Sequence, residues 1–136
     1  MHIRVLIVDD NRTMRETLRW MLNHEPDMEV VGEAEDGYAM LEIAQALRPD
    51  VVVMDISMPR MNGIEATQRL LAAHPLIKVI GFSSFDSGQY ARKMLAAGAS
   101  AYISKMDAAN ELPHALRAVM SGTAMPDIEQ EFYSTK

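Results

Sequence analysis

The sequence predicts an α/β protein built on one parallel sheet with helices on both faces. Short apolar runs alternate with amphipathic stretches five times along the chain, and the connections between them are short. The runs are apolar almost throughout and not at every second residue, as expected of strands buried on both faces. A length of 136 residues fits one domain, and a hydrophobic content of 49% is enough for a core at this size.

Ile3 to Val8 is the first strand. Asn11 to about His24 reads as a helix, with Met14, Leu18, Met21 and Leu22 at helical spacing and Pro26 closing the segment. Val30–Val31 centres a second strand, and Asp36 to Leu47 forms a second helix with Met40, Leu41, Ile43, Ala44 and Leu47 inward. Val51 to Met54 is the third strand and runs straight into Asp55. The third helix extends from Asn62 to about His74, where His74-Pro75 stops it. Ile77 to Phe82 is the fourth strand, weakened by Gly81, and Ser87 to Ala97 is the fourth helix with Gly98 as its C-cap. Ser100 to Ile103 completes the strands. The last helix, from about Asn110 to Ser121, carries Leu112, Ala115, Leu116 and Val119 on one face, and Pro113 is expected in its first turn, where a missing N–H costs little. Residues 1–122 are the expected domain and 123–136 a tail or linker stub.

Composition narrows the function. A net charge of -6 and a pI near 5.1 argue against nucleic acid contact by this segment, which would need a concentrated basic face. The absence of cysteine excludes disulfides and thiolate metal sites. The N-terminal apolar run is too short for a signal peptide and no run approaches the roughly 20 residues of a membrane span, so a cytoplasmic protein without membrane contact is expected. His24 and His74 end helices and His2 and His114 lack ligand spacing, so none is read as catalytic; the twelve methionines are read chiefly as core filling, and Trp20 as partly exposed opposite the stripe of its helix.

Parallel strands share one carboxyl edge, and ligands of open α/β sheets bind there. Asp9 and Asp10 follow the first strand, Asp55 the third, Ser83-Ser84 the fourth and Lys105 the fifth. Carboxylates brought together repel: two unit charges ~5 Å apart cost on the order of 3 kcal/mol at an effective dielectric near 20. A hard divalent cation relieves that repulsion, and an oxygen-only donor set points to Mg²⁺ over zinc. With a lysine and a hydroxyl for an anionic group, the edge has the chemistry of phosphoryl transfer.

These motifs match a known family. Val8-Asp-Asp-Asn-Arg-Thr-Met-Arg15 resembles the acidic-pair opening of response regulator receiver domains, and Met54-Asp-Ile-Ser-Met-Pro-Arg-Met-Asn-Gly63 resembles their phosphoacceptor motif. Val79 to Ser83 and Ala97 to Lys105 complete a resemblance that covers about residues 3 to 122. It implies a flavodoxin-like sheet of strand order 2-1-3-4-5 and a switch that catalyses only its own phosphorylation and dephosphorylation. By the same resemblance Asp55 takes phosphate from a sensor histidine kinase, Asp10 binds Mg²⁺ directly, Asp9 acts through water, and the Ser57 carbonyl is a further ligand. Ser83 and Lys105 contact the phosphoryl group, and Tyr102 matches the aromatic that switches rotamer. The last helix looks like that of receivers preceding helix-turn-helix output domains, which implies a dimer partner or output domain on the surface of the fourth helix, fifth strand and fifth helix. Two departures stand out. Met106 replaces the proline that often follows the lysine, for which a trans peptide is expected, and Phe85 and Ser57 occupy positions that tune phosphoryl lifetime in the family.

Two other classes fit less well. An aspartyl-phosphate phosphatase of the Mg²⁺-dependent type usually has a second acid two residues after its nucleophile, where Ser57 stands. A flavin-binding module needs a hydroxyl- and glycine-rich phosphate loop after the first strand, where Asp9-Asp10 would repel phosphate. The chain could equally be a stand-alone receiver or a fragment of a DNA-binding regulator.

Overall fold

Strand and helix alternate along the chain as β1 (Ile3–Val8), α1 (Arg12–Asn23), β2 (Met28–Ala34), α2 (Gly37–Leu47), β3 (Val51–Asp55), α3 (Gly63–Ala73), β4 (Lys78–Ser83), α4 (Gly88–Ala96), β5 (Ala101–Ser104) and α5 (Ala108–Ser121). This computed structural model describes residues 2–84 and 88–122. Phe85, Ser87 and the tail 123–136 lie outside the described residues.

All strand pairs are parallel, in the order β2-β1-β3-β4-β5. Alternate strand residues point to opposite faces, so one apolar run serves two cores. Val5 and Ile7 of β1 and Val51 and Val53 of β3 pack with Leu18 and Leu22 of α1 and Leu112 and Leu116 of α5. Leu6, Val8, Val52 and Met54 face the other way, toward Met40 of α2, Leu70 of α3 and Met94 of α4. Hence α1 and α5 cover one face and α2, α3 and α4 the other.

Helix starts follow the expected chemistry. Asn11, Asp36 and Asn62 each accept a backbone N–H from the third residue on, at 2.8–2.9 Å, so three orphan donors are satisfied by side chains placed just before each helix. His24 and His74 are C-caps, and the His24 ring lies 4.2 Å from that of Trp20, which is 67% exposed.

Two expectations need correction. The last helix opens at Ala108, after a 3-10 turn over Lys105–Asp107, so Pro113 is its sixth residue and lies in the second turn. Its missing N–H therefore does remove a helical bond, and the buried position of the ring on the inner face offsets part of that loss. Gly81, expected to weaken β4, does not interrupt it: the strand runs through it, paired with Met54 on one side and Tyr102 on the other. A Cβ there would lie 2.9 Å from the Tyr102 ring and 3.0 Å from Met94, so the missing side chain is the space that the ring uses.

Gly63 is the tightest backbone contact near the carboxyl edge. A Cβ at this position would stand 2.2 Å from the Asp55 carbonyl oxygen and 2.8 Å from the Ile56 Cα, neither of which can yield without moving the loop. Gly63→Ala should therefore destabilise the fold by about 1–3 kcal/mol or more, the range for overpacking, measurable as a lower midpoint in urea unfolding.

Candidate functional site at the carboxyl edge of the sheet

The edge forms where β1 and β3 stand side by side while their connections leave in opposite directions, the switch point at which open α/β sheets bind ligands. Asp9 and Asp10 follow β1, and Asp55 is the last residue of β3. One carboxylate oxygen from each lies within 4.8 Å of the others, with Asp9 and Asp55 buried and Asp10 exposed at the mouth. Lys105, immediately after β5, reaches across the edge and places its Nζ 2.8 Å from Asp9 Oδ2 and 3.5 Å from Asp55 Oδ1. The same ammonium sits 5.6 Å from the centre of the Phe82 ring, within cation–π range.

Each group is set by local structure. Asp9 Oδ1 accepts the Asn11 N–H at 2.8 Å, and the Asp9 carbonyl accepts Arg15 Nη1 at 2.7 Å. The Ser57 backbone N–H donates to the Asp55 carboxylate. The Met106 N–H donates to Ser104 Oγ at 3.2 Å, which closes the turn that carries Lys105; proline at this position could not make that bond. The Lys105–Met106 peptide is trans, as expected. Ser83 ends β4, is 1% exposed and pairs in register with Ser104. Tyr102 is also buried, against Gly81. Six of the seven residues singled out from the sequence thus lie at strand ends or in the loops that follow them, Tyr102 being the exception. Asp9, Asp10, Asp55 and Lys105 form one cluster, and Tyr102 stands apart, inside β5.

Electrostatics matches this crowding. Burial, followed by the charge of Asp9, raises the Asp55 carboxyl to about 7, with Asp10 adding to the rise and Lys105 and the Ser57 N–H opposing it. Burial works against the Lys105 ammonium, but the contact with Asp9 and the charges of Asp55 and Asp9 outweigh it and hold the lysine above its usual value. An oxygen-only set of three carboxylates with one buried acid this reluctant to ionise fits a hard divalent cation such as Mg²⁺.

The sequence reading missed the groups behind the site. Glu33 drew no attention, Arg15 and Arg60 figured only as members of the quoted motifs with no role of their own, and Asp36 was noted only as a helix start. Polar side chains at helix starts and strand ends usually cap or solvate, so only contacts made across the fold distinguish these.

Fold and site together define a class: a doubly wound sheet of order 2-1-3-4-5 with an acid trio and a lysine at its switch point. The model of the response regulator receiver domain matches residues 5–117, and the chain belongs to this family, a receiver of two-component response regulators. It is similar to the transcriptional regulatory protein DegU of Brevibacillus brevis, at 39% identity over 90% of this chain and 52% of that protein. Among solved structures it resembles a LuxR-family two-component response regulator from Aurantimonas sp. SI85-9A1, with 34% identity and TM-score 0.91 over 98% of this chain and 97% of that one. The response regulator domain of Thermotoga maritima CheB is similar too, with 37% identity and TM-score 0.82 over 89% of this chain and 98% of that one. The chain spans little more than half the length of the curated transcription regulators it matches. Among the described residues, no helix is long and apolar enough to cross a membrane.

The raised Asp55 carboxyl carries a sign for stability. Its folded value, about 7, exceeds the unfolded 3.8, so its contribution is fully present below 3.8 and is lost as pH rises through about 7. In chelator, Asp55→Asn should therefore be more stable than the unsubstituted chain at pH 8, with the advantage shrinking toward pH 5. Thermal unfolding of both proteins across that range checks it, and a pH-independent difference would contradict the raised value.

Proposed function

We propose that Asp55 is the phosphoacceptor of this receiver and takes its phosphoryl group from the phosphohistidine of a sensor kinase. The observation that carries this is the acid trio with Lys105 seated on it, at the switch point of the sheet. An Asp55 carboxylate oxygen attacks phosphorus; the P–O bond forms as the P–N bond breaks, the electron pair returns to the imidazole nitrogen, and an acyl phosphate results. The Ser57 N–H aims the nucleophile by holding its carboxylate. Lys105 offsets part of the charge of the trio before transfer and pairs with the transferred group after it, while the Ser83 hydroxyl donates a hydrogen bond to that group.

Mg²⁺, when bound, supplies the charge that lets an anionic donor approach three carboxylates. Asp10, exposed at the mouth, and Asp55 would hold it directly together with the Ser57 carbonyl. Asp9 has one oxygen on the Asn11 N–H and the other on Lys105, which suits a role through water.

The signal leaves through α4, β5 and α5. A phosphoryl group adds nearly two negative charges and strong acceptors within reach of Ser83, and drawing that hydroxyl over opens space at the end of β4 for Tyr102. The remodelled surface is offered to a second copy or to a DNA-binding output domain, since the relatives are transcription regulators that continue beyond this length. Catalysis is limited to the domain's own phosphorylation and dephosphorylation, the site of action is the cytoplasm, and residues 1–122 are the functional unit, with 123–136 a tail or linker stub.

Incubation with acetyl phosphate and Mg²⁺ should add one phosphoryl group per chain by intact-mass spectrometry and none to Asp55→Asn. Robust labelling of that variant would remove Asp55 from the role.

Ser83→Ala should still accept phosphate but lose the shift of the Tyr102 ring and of α4 amides that a phosphoryl mimic produces in NMR. The coupling lost is on the order of 1–3 kcal/mol. An undiminished shift would show that the hydroxyl is not the lever.

A further inference from the structure

Asp9 is hydrogen-bonded at three of its four polar atoms, and the fourth, the buried Oδ2, faces the Lys105 ammonium as an ion pair without a hydrogen bond. Its N–H donates to the Ala34 carbonyl at 3.1 Å, its carbonyl accepts Arg15, and its two carboxylate oxygens meet Asn11 and Lys105. Two of these four holders trace to the end of β2, the edge strand, which supplies no member of the acid trio. Ala34 is its last residue, and Glu33 takes Arg15 Nε on Oε1 at 3.2 Å while its Oε2 takes Arg19. The Arg15 side chain is only 14% exposed, so its guanidinium is a built-in part of the β1–α1 loop and not a solvated surface charge.

A second contact leaves the same end of β2. Asp36, with a side chain 5% exposed, caps α2 through Oδ1 and pairs through Oδ2 with Arg60, in the loop that follows Asp55. Arg60 has φ 68, a left-handed conformation that a non-glycine residue adopts at a cost, and its side chain, 66% exposed, lies over the buried Asp36 carboxylate. Next to it, Met61 is buried against Gly37, where a Cβ would come within 2.6 Å of the Met61 sulfur.

We propose that the end of β2 is a two-armed clamp on the metal site. Glu33 acts through Arg15 on the Asp9–Asp10 loop, and Asp36 acts through Arg60 on the loop from Asp55 to Gly63. Without such restraint, mutual repulsion would spread the three carboxylates, and Mg²⁺ tolerates little departure from ideal geometry. The four residues are positioning residues: they touch neither the ion nor the phosphoryl group, and they set the spacing of the groups that do. The inference rests on the Mg²⁺ reading given above.

The test uses the full chain with MgCl2 titrated against the Asn11 and Ser57 amides in NMR, together with acetyl phosphate labelling at low and at saturating Mg²⁺. Three variants separate the arms: Glu33→Gln, which keeps shape; Asp36→Asn, which keeps the helix cap; and Arg60→Gly, which keeps the backbone conformation. Each should raise the Mg²⁺ Kd about tenfold, the lower end for groups that support a metal site, while labelling recovers at saturating Mg²⁺. Asp36→Asn and Arg60→Gly act on one arm and should not add, whereas Glu33→Gln and Asp36→Asn act on two and should multiply. Arg117→Ala, which breaks the ion pairs to Glu25 and Asp27 at the far end of the sheet, should leave the Kd unchanged. If Asp10→Ala abolishes Mg²⁺ binding but Glu33→Gln and Asp36→Asn match the unsubstituted chain, the clamp is wrong and the site stands. If the unsubstituted chain shows no Mg²⁺-dependent shift at Asn11 or Ser57, the site reading falls and the clamp with it.

Discussion

A single ammonium among buried carboxylates is the interaction on which the carboxyl edge depends. Asp9 and Asp55 are nearly inaccessible to water, and Lys105 stands 2.8 Å from one and 3.5 Å from the other. At such separations a pair of opposite charges interacts by several kcal/mol at an effective dielectric near 20, yet moving three charges out of water costs a comparable amount. The balance is visible in Asp55, whose carboxyl remains at about 7 despite the lysine because burial and Asp9 outweigh it. The Asp55 carboxyl is therefore held between its charged and neutral forms near neutral pH. That is what a switch needs and what a purely structural salt bridge lacks.

The parallel sheet makes this cluster possible. Because every strand runs the same way, the residues that follow or end β1, β3 and β5 meet although nearly a hundred positions separate Asp9 from Lys105. Backbone fit then sets the positions closely. Gly63 lets the loop after Asp55 fold back so that its N–H meets the Ile56 carbonyl at 2.8 Å, and the turn over Lys105–Asp107 directs the lysine inward. The outer strand β2 brings no member of the trio, but Ala34, Glu33 and Asp36 hold the loops that do.

The path from the site outward runs through close packing. Tyr102 lies on Gly81 and shares a core with Met94 of α4, so the proposed switch would pass from the ring to α4 by direct packing. Dense interiors shift between discrete arrangements and do not deform smoothly, which suits an output surface that is either remade or not. The chain spans little more than half the length of the curated regulators it resembles.

How much of this was legible depends on whether the signal was local. The continuous apolar runs, the Asn and Asp residues before three helices and the acids and lysine that end strands are properties of short segments, and from them the sequence alone determined the sheet, the edge and its chemistry. The strand order came by resemblance and not from periodicity, because pairing partners leave no mark within a strand. Other features misled for the same reason. Gly81 looked like a weakness because its value lies in the ring of Tyr102 on a neighbouring strand, and Pro113 seemed to sit in a first turn because the start of α5 follows from the turn at Lys105. Arg15, Glu33, Asp36 and Arg60 look like ordinary surface charges along the chain; only the tertiary structure joined them, since an ion pair is decided by distance in space and not by spacing in sequence.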